Sequence, residues 1–283
     1  MLPDIIKKEN NRRGINFEIV DTNAAGDYRF LLKKIKREKI TDVVICGGDG
    51  SINSVTAHLI GAPVNVGIIP RGSGNGLAFT ARIPKQTLKA LEVVFSGTPS
   101  FIDGFYINQH FSCMLCGIGF DAKVALDFSK EKRRGLQTYI KVTATNFFSA
   151  KAYPFDLKAQ DNSFSTEAFF ISIANSNQFG NNVTIAPQAS LSDGLLDIVI
   201  VKKMSKLVLP FSLLGQVTGI NARQDLSQDL KSKNVIYFQT PAITIINKEQ
   251  APLHIDGDPK ETAGKFDIRI VHKAFRLIQP SEN

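Results

Sequence analysis

Cysteine is scarce in this sequence and long hydrophobic runs are absent, and both features exclude classes of protein. The three cysteines, Cys46, Cys113 and Cys116, are an odd and sparse set that argues against a disulfide framework. Cys113 and Cys116 form a single C-x-x-C pair, whereas a structural zinc site requires a second pair of ligands. No run of roughly 18 uncharged apolar residues is present, and no basic-then-apolar leader begins the chain. We therefore expect a cytoplasmic protein without a membrane-spanning helix or a secretory signal.

The two standard nucleotide-phosphate motifs are also missing, although glycine-rich turns are present. The turns at residues 47–50 and 70–76 lack the lysine of G-x-x-x-x-G-K-[ST]. Gly72, Gly74 and Gly76 do not fit the spacing G-x-G-x-x-G, which argues against a dinucleotide-binding Rossmann unit. The histidines show no metal-ligand spacing, and we assign all of them to packing or to the surface: His58, His110, His254 and His272.

Size and charge define the range of partners. With 283 residues, of which 43% are hydrophobic and 21% charged, the chain can bury one large or two medium cores. Its net charge of +8 favours an anionic partner such as a nucleotide or an acidic membrane surface. We expect no nucleic acid partner, because no recognised DNA- or RNA-binding pattern accompanies the charge. The basic, amphipathic stretch near residues 130–151 fits docking on an anionic lipid surface, and equally an ordinary solvated helix face. A homodimer is also compatible with the sequence.

The order of strand-like and helix-like segments divides the chain into two lobes near residue 100. The first lobe, predicted over residues 1–100, begins with a strand at Phe17–Val20 and a helix near Asp27–Lys39, and this alternation is typical of α/β domains. The second lobe, predicted over residues 101–283, has many short strand-like runs, which predict a β-sandwich. We expect the final residues to return to the first lobe. The predicted strands of the second lobe are 101–106, 111–116, 155–159, 168–174, 196–201, 235–238, 243–246, 253–255 and 266–271, with helices near 122–149 and 205–218.

Two glycine turns in the first lobe predict a phosphate-binding site. Gly47–Gly50 follows the β-branched run Val43–Cys46, and Pro70–Gly76 follows the similar run Val64–Ile69. Both runs predict buried parallel strands, joined by a helix that Ser51 caps. The two turns should therefore lie at the carboxyl ends of the strands, where open α/β sheets bind ligands. Glycines there let backbone amides approach phosphate oxygens closely, and a helix N-terminus adds a favourable dipole.

Carboxylates at other predicted turns suggest a magnesium-dependent reaction. Phosphoryl transfer from a nucleotide normally requires Mg²⁺, which prefers oxygen ligands. A structural interpretation also exists, because Asp193–Gly194 and Asp256–Gly257 are common turn pairs and Asp121 could cap a helix. The candidate carboxylates are Asp49, Asp121, Asp193 and Asp258.

Five segments, taken in chain order, resemble the motifs of the diacylglycerol kinase catalytic-domain family, which includes bacterial diacylglycerol kinases and the sphingosine and ceramide kinases. The resemblance implies an ATP-dependent lipid kinase with an N-terminal lobe similar to those of phosphofructokinase and NAD kinase and a C-terminal β-sandwich lobe. It would transfer the γ-phosphoryl group to a hydroxyl of a diacylglycerol- or sphingolipid-type lipid, at an anionic membrane surface. The segments are ICGGDGSIN (45–53), PRGSGNGLA (70–78), GIGFDA (117–122), AP (186–187) with SDGLLD (192–197), and IDGDP (255–259).

The resemblance also assigns roles to residues of this chain. Asp258 takes the place of the general base, Asp49 lies near the metal–phosphate centre, and Asp121 orients the catalytic Mg²⁺ through water. A structural Mg²⁺ is held by the Asp193 carboxylate and by the main-chain oxygens of Ser190 and Leu195. The residues implied to bind ATP are Thr22, Gly47, Gly48, Asp49, Gly50, Ser51, Ile52, Asn53, Gly72, Ser73, Gly74 and Asn75.

Three departures from the family pattern keep other functions open. Asp258 stands where the family usually has glutamate, and the second turn reads GSGNG (72–76) as in sphingosine and ceramide kinases. The helix-like segment Pro3–Lys8 occupies the place of the family's first strand. A noncatalytic nucleotide- or lipid-binding relative is therefore an alternative. A soluble-substrate kinase of the NAD kinase type is a weaker one, because those enzymes lack the downstream Asp-Gly-Leu and Asp-Gly-Asp segments.

Overall fold

The computed structural model describes residues 2–22, 26–131, 136–147, 149–177, 184–226 and 233–281. Within these ranges helices and strands alternate at first, and strands predominate later. The helices are α1 (Leu2–Arg13), α2 (Phe30–Glu38), α3 (Asp49–Thr56), α4 (Gly76–Thr80), α5 (Thr87–Ser96), α6 (Phe120–Lys130), α7 (Leu136–Phe147) and α8 (Leu209–Val217). The strands are β1 (Asp42–Gly47), β2 (Asn65–Pro70), β3 (Thr98–Ile107), β4 (His110–Ser112), β5 (Leu115–Gly119), β6 (Tyr153–Ala159), β7 (Asn162–Ala174), β8 (Leu196–Lys202), β9 (Val235–Thr240), β10 (Ala242–Asn247), β11 (Leu253–Ile255), β12 (Asp258–Lys260) and β13 (Lys265–Gln279).

The first part of the chain forms the expected strand–helix–strand unit. β1 and β2 pair in parallel, from Asp42 opposite Asn65 to Gly47 opposite Pro70, so that both strands end at the same edge of the sheet. The connecting helix α3 begins at Asp49 with Gly48 as its N-cap, and therefore starts earlier than the predicted cap at Ser51. The parallel sheet and the position of both glycine turns are confirmed.

The predicted strand at Phe17–Val20 is wrong. These residues form no regular secondary structure, and Ile19 and Val20 are exposed. β1 is an edge strand of the sheet, and within the described ranges no other strand pairs with its outer side. A short β-branched run becomes a strand only where a neighbouring strand supplies hydrogen-bond partners, and here α1 is the element that precedes α2.

The last strand, β13, connects the parallel strands with the antiparallel remainder of the sheet. Its first half pairs with β10 and β3, and after a bulge between Val271 and Phe275 the ladder with β3 continues to Gln279. Arg276 and Leu277 also pair in parallel with β2. The C-terminal residues of the chain are thus part of the sheet that carries the glycine turns.

The C-terminal strands are antiparallel and enclose two further hydrophobic clusters. β7 pairs with β5, β6 and β8, so that apolar residues of both its faces are buried. The run predicted as one strand over 111–116 is divided into β4 and β5. This division places Cys113 in the cluster under β1 and β2 and Cys116 in the C-terminal cluster. Burial raises the pKa of both thiols well above its usual range, as expected for structural cysteines.

Within the described ranges, every helix is too short or too polar to traverse a lipid bilayer.

Candidate active site

The two glycine turns lie in direct backbone contact. A Cβ atom placed on Gly48 would lie 2.8 Å from the Cα atom of Gly72, and one on Gly72 would lie 2.6 Å from the Cα atom of Gly48. The Arg71 amide also donates a hydrogen bond to the Gly47 carbonyl at 2.8 Å. Because no side chain fits between them, these positions require glycine, and the backbones of both turns form one continuous surface.

The second turn is closed by its own asparagine. The side chain of Asn75 accepts a hydrogen bond from the Gly72 amide at 2.8 Å and donates one to the Gly72 carbonyl at 2.7 Å. Asn75 is buried and has a left-handed backbone, with φ of 58°, a conformation that asparagine tolerates well. Ser73 stays exposed at the tip of the turn, where a phosphate oxygen could reach its hydroxyl.

Asp49 is the first residue of α3, and its carboxylate is hydrogen-bonded to the N-terminus of α4. One oxygen, Oδ2, accepts a hydrogen bond from the Gly76 amide at 3.0 Å, and the amides of Asn75 and Leu77 add to it. The other oxygen, Oδ1, is buried and has no hydrogen-bond partner among the described residues. Burial raises the pKa of Asp49, and these amide hydrogen bonds oppose the shift. Asp49 thus has one anchored oxygen and one that is available to a ligand.

The rest of the first glycine segment divides into backbone and packing roles. Ile52 is fully buried in the core, and its amide bonds to the Gly48 carbonyl. Ser51 packs against Gly47, where a Cβ atom would lie 2.7 Å from that of Ser51. Asn53 donates to the Phe111 carbonyl at 2.8 Å and accepts from the Cys113 amide at 3.3 Å. It therefore ties α3 to the connection between β4 and β5, while its assignment to ATP stays a prediction.

The Asp256–Gly257 pair forms the two-residue turn between β11 and β12. Both residues have positive φ, 52° and 82°, as in the type I′ turns that join twisted strands. The pair thus forms the turn that the sequence predicts, and the turn also carries a carboxylate inward. Asp256 Oδ1 accepts hydrogen bonds from the Ser112 hydroxyl at 2.6 Å and the Leu115 amide at 3.1 Å.

The second oxygen of Asp256, Oδ2, is buried without a hydrogen-bond partner among the described residues. Burial raises the pKa of Asp256 to about 7, and the charge of Asp49 acts in the same direction. The two bonds from Ser112 and Leu115 limit the shift. Sequence reasoning treated Asp256 only as a turn residue and missed this environment.

Asp258 lies beside the first turn of α3. Its Oδ2 atom would be 3.5 Å from a Cβ atom on Gly50, and its charge also raises the pKa of Asp49. Asp258 is exposed. The structure therefore brings Asp49 and Asp258 together at the N-terminus of α3, while Asp256 is near enough for the charge of Asp49 to raise its pKa.

Asp121 and His254 form a buried pair. Asp121 lies in the first turn of α6, with its Oδ2 atom 3.4 Å from His254 Nε2, and the Gly257 amide donates to His254 Nδ1 at 3.2 Å. Gly117 makes room for this pair, because a Cβ atom there would lie 1.9 Å from Asp121 Oδ2. His254 thus connects Asp121 with the turn that carries Asp256. The assignment of His254 to packing or to the surface did not include these contacts.

The predicted structural metal site lies at another turn. The Asp193 carboxylate accepts hydrogen bonds from the Leu195 amide at 3.1 Å and from Gln239 Nε2 at 2.9 Å. The Ser190 hydroxyl accepts the amide of Ser192 at 3.3 Å. These contacts are those of a closed turn, and the binding of a metal by Ser190, Asp193 and Leu195 stays a prediction.

Thr22 is a predicted nucleotide contact in the segment that precedes α2. It is exposed in an irregular segment. Among the described residues, no hydrogen bond joins it to either glycine turn. Its role also stays a prediction.

Whether Mg²⁺ fits the site depends on which carboxylate oxygens lack a protein hydrogen-bond partner. The residues that the structure describes include no group of three or more His, Cys, Asp or Glu side chains able to hold a metal by themselves. Mg²⁺ in phosphoryl-transfer sites, however, is bound by one or two carboxylates together with waters and substrate phosphates. Asp49 Oδ1 is a buried oxygen without a protein partner beside a backbone surface suited to phosphates. The residues therefore fit a magnesium ion that arrives with a nucleotide.

The fold and the site define a class of protein with two parts. An α/β domain carries the two glycine turns, and a β-sandwich-like domain places Asp258 beside the first of them. Two family models match this chain: the diacylglycerol kinase catalytic domain over residues 2–107, and the YegS C-terminal NAD kinase beta sandwich-like domain over residues 115–279. The chain belongs to the diacylglycerol kinase catalytic-domain family, in its form with the YegS-type C-terminal domain. At this level, it is a kinase-type phosphotransferase.

Individual relatives agree with this assignment at low identity. A probable lipid kinase YegS-like of Shewanella frigidimarina is 26% identical over 268 residues, which cover 92% of this chain and 83% of the relative. A diacylglycerol kinase of Staphylococcus carnosus is 24% identical over 266 residues, covering 91% and 83%. An uncharacterized protein of Synechocystis is 23% identical over 296 residues, and this chain spans 66% of its length.

Solved structures support the fold. A diacylglycerol kinase from Bacillus anthracis Sterne matches with a TM-score of 0.68 and 18% identity, over 93% of this chain and 84% of that one. Another chain from the same strain reaches a TM-score of 0.73 at 19% identity, over 93% and 85%.

Proposed function

We propose that this protein transfers the γ-phosphoryl group of ATP to a hydroxyl group of a membrane lipid of the diacylglycerol or sphingolipid type. Membership of the family supports kinase chemistry, and the names of relatives support a lipid acceptor. The observation that carries the proposal is the position of Asp49 and Asp258 beside two glycine turns whose backbones touch.

The two turns bind the polyphosphate. Backbone amides at the start of α3 carry partial positive charge, which favours phosphate oxygens. The exposed hydroxyl of Ser73 adds a donor from the second turn. Because Gly48 and Gly72 touch, the two turns hold a fixed spacing, and this preorganisation lowers the cost of ordering a triphosphate.

Asp49 orients the nucleotide and its metal. The amides at the start of α4 fix Oδ2, and this leaves Oδ1 for Mg²⁺ or for one of its waters. A bound Mg²⁺ supplies neutralisation of the negative charge that develops on the phosphate oxygens. Asp121 acts further from the phosphates, held against His254 and able to bind a metal-bound water. The Asp193 turn, with Ser190 and Leu195, holds a structural cation in this proposal.

Asp258 acts as the general base. It is exposed at the first turn of α3 and lies close to Gly50, where a lipid hydroxyl could approach the γ-phosphate. A carboxylate in this place accepts the hydroxyl proton as the oxygen attacks phosphorus. Its side chain is one methylene shorter than glutamate, and the tight turn at Asp256–Gly257 fixes where its backbone begins.

The decisive experiment supplies the purified protein with labelled ATP, Mg²⁺ and a mixed lipid extract. We expect phosphorylated lipid to form, and we expect Asp258→Asn to lower its rate by about 10²–10⁴-fold with unchanged thermal stability. Lys260→Gln, an exposed change on the same strand, is the matched control and should retain full activity. Normal ATP binding without any phosphorylated lipid, in both the wild type and Asp258→Glu, would contradict the proposal and favour a noncatalytic relative. Phosphorylation of NAD instead of lipid would favour a soluble-substrate kinase.

A further inference from the structure

Helix α8 exposes large apolar side chains to solvent. Its inner face packs into the C-terminal core through Leu209 and Leu213, while Gln216 donates a hydrogen bond to the Ile185 carbonyl. The opposite side of the helix and its flanks carry hydrophobic residues that are far more exposed than a core residue. This α8 apolar face consists of Leu207, Phe211, Leu214 and Ile220, which are 83%, 76%, 60% and 78% exposed.

The sequence of this segment differs from that of an ordinary surface helix. A surface helix normally presents charged or polar residues to water. Between Lys206 and Arg223, however, no charged residue occurs. The helix is therefore apolar on both sides, and only the inner side is covered by the described part of the chain. A contiguous exposed apolar patch of this kind marks a surface that meets a partner or a membrane.

The charges around the face favour an anionic lipid surface over a protein. No acidic residue occurs between Asp197 and Asp225, whereas Lys202, Lys203 and Lys206 directly precede the apolar segment. Lys203 forms an ion pair with Glu167 at 2.9 Å and keeps 59% of its side chain exposed. Protein–protein interfaces are depleted in lysine. Interfacial helices instead combine an apolar face with lysine and arginine that contact anionic headgroups.

The position of the face relates it to the candidate active site. Leu209 of α8 lies in one hydrophobic cluster with Val124 of α6 and Val142 of α7, so these three helices cover the same side of the sheet. The first turn of α6 carries Asp121, which pairs with His254. A bilayer in contact with α8 would therefore face the side of the sheet that α6 covers, and the first turn of α6 carries Asp121 of the candidate site.

We propose that the α8 apolar face docks this protein on an anionic lipid bilayer, with Phe211 and Leu214 inserted among the acyl chains and the preceding lysines at the headgroups. This inference deepens the proposed function, on which it rests for its biological purpose, by naming the surface that reaches the lipid. It moves the docking surface from the basic stretch near residues 130–151 to α8. Part of that stretch, residues 132–135 and 148, lies outside the described residues.

The absence of tryptophan from the chain makes a direct test available. Phe211→Trp places a single reporter on the face, and Leu88→Trp places one at a 60%-exposed apolar position of α5. On vesicles of phosphatidylglycerol and phosphatidylcholine, we expect a blue shift and quenching by brominated acyl chains for Phe211→Trp only. Neutral phosphatidylcholine vesicles should give a weaker response. Equal responses at both positions, or none at Phe211→Trp, would overturn the proposal.

A second variant measures the contribution of the face to binding. The triple change Leu207→Gln, Phe211→Gln and Leu214→Gln alters only exposed positions, and circular dichroism should show a folded protein. We expect co-sedimentation with the anionic vesicles to weaken at least about tenfold, since each large apolar side chain loses its transfer to hydrocarbon. The matched control combines Ile19→Gln, Phe30→Gln and Leu88→Gln, at exposed apolar positions elsewhere, and should bind as the wild type does.

The outcomes separate this inference from the proposed function. Vesicle binding is measured without ATP, so binding that depends on α8 in a protein that phosphorylates no lipid would sustain the docking surface and reject the kinase. Conversely, lipid phosphorylation with unchanged vesicle binding by the triple variant would reject the docking surface alone. Sedimentation velocity tests a second copy as the occupant. A wild-type dimer that the triple variant dissociates, with vesicle binding unchanged, would also overturn the proposal.

Discussion

Two groups of buried carboxylates in this protein differ in how their oxygens are satisfied. The active-site carboxylates, Asp49 and Asp256, each have one oxygen held by protein donors and one that is buried without a partner in the described residues. The structural carboxylates, Asp103 and Asp197, are fully buried and have protein donors on both oxygens.

The donors of the structural carboxylates show what complete satisfaction requires. Asp103 accepts the amides of Gly194 and Lys273, each at 2.7 Å, and contacts His272 Nδ1 at 2.8 Å. Asp197 accepts hydrogen bonds from the Tyr237 hydroxyl at 2.6 Å, Arg223 Nη2 at 3.0 Å and Gln239 at 3.1 Å.

Burying a carboxylate without hydrogen-bond donors costs free energy. A carboxylate with donors on both oxygens therefore indicates a structural role, and one with a buried oxygen that lacks a donor indicates a functional role. A complete donor set stabilises the fold and leaves nothing for a ligand. An incomplete set leaves an oxygen for a metal ion, a water or a substrate proton. Burial raises the pKa of Asp197 as well as those of Asp49 and Asp256, so the available oxygen, and not the pKa, distinguishes the two groups.

Asp49→Asn should affect activity far more than stability. The amide oxygen of asparagine can still accept the hydrogen bond from Gly76, while the charge that faces Mg²⁺ is lost. We expect lipid phosphorylation to fall by about 10²–10³-fold, as for the loss of one strong electrostatic contact in a transition state. The free energy of unfolding, measured by thermal denaturation, should change by less than about 1 kcal/mol. A variant that keeps full activity would remove Asp49 from the active-site group.

Asp197→Ala should show the opposite pattern. The change leaves Tyr237 and Gln239 without their acceptor and Arg223 without its ion pair. We expect the free energy of unfolding to fall by about 3 kcal/mol, measured by urea denaturation, with kcat per folded molecule unchanged. Glu167→Ala, which removes an exposed ion pair with Lys203, is the control and should cost less than about 1 kcal/mol. Lost activity in a stable Asp197→Ala protein would contradict the structural assignment.

Asp256→Asn should gain stability relative to the wild type as the pH rises. The pKa of Asp256 is raised in the folded protein from 3.8 to about 7, so the folded state holds a proton that the unfolded state releases. The wild type therefore loses stability between about pH 4 and pH 7, and asparagine does not. Urea denaturation at pH 5 and pH 8 should show the relative gain at pH 8. Parallel pH profiles of the two proteins would show that Asp256 is not perturbed.

Ser112→Ala should produce the smallest of these effects, a further rise in the pKa of Asp256. The Ser112 hydroxyl donates to Asp256 at 2.6 Å and lowers the pKa of that carboxyl. Its removal should raise the pKa of Asp256 further, by about one unit for the loss of one hydrogen bond to a charged group. Carboxyl ¹³C chemical shifts followed against pH measure this directly. Ser165→Ala, which removes a donor from the exposed Asp156, serves as the comparison and should leave the Asp256 titration unchanged.

Local patterns were sufficient for much of the fold. The β-branched runs followed by glycine predicted β1 and β2, their parallel pairing and the position of both turns, because strand periodicity and turn chemistry are local properties. The run at Phe17–Val20 has a similar composition but is no strand, since pairing partners are not encoded in the run itself. The length of β13 was likewise underestimated, because its second half alternates less clearly and is fixed by its pairing with β3 and β2.

The candidate site was predictable to a different extent. The motifs identified Asp49, Asp121 and Asp258, and the structure places Asp49 and Asp258 at the same helix N-terminus. His254 and Asp256 were missed as interacting residues, because the contacts that define them come from residues far along the chain, Asp121 and Ser112. Similarly, the exposed side of α8 could not be told from a core-facing one by hydropathy alone.

The sequence by itself determined many of the strands, where glycine is required, and which family the motifs resemble, since these depend largely on residues close together in the chain. Only the tertiary structure decided which carboxylates are satisfied. Asp197 lies within β8 and Asp256 in the turn after β11, and this local difference does not reveal which of them has donors for both oxygens. The donors arrive from distant segments, and a buried oxygen is satisfied or left available according to whether folding brings a donor within hydrogen-bond distance.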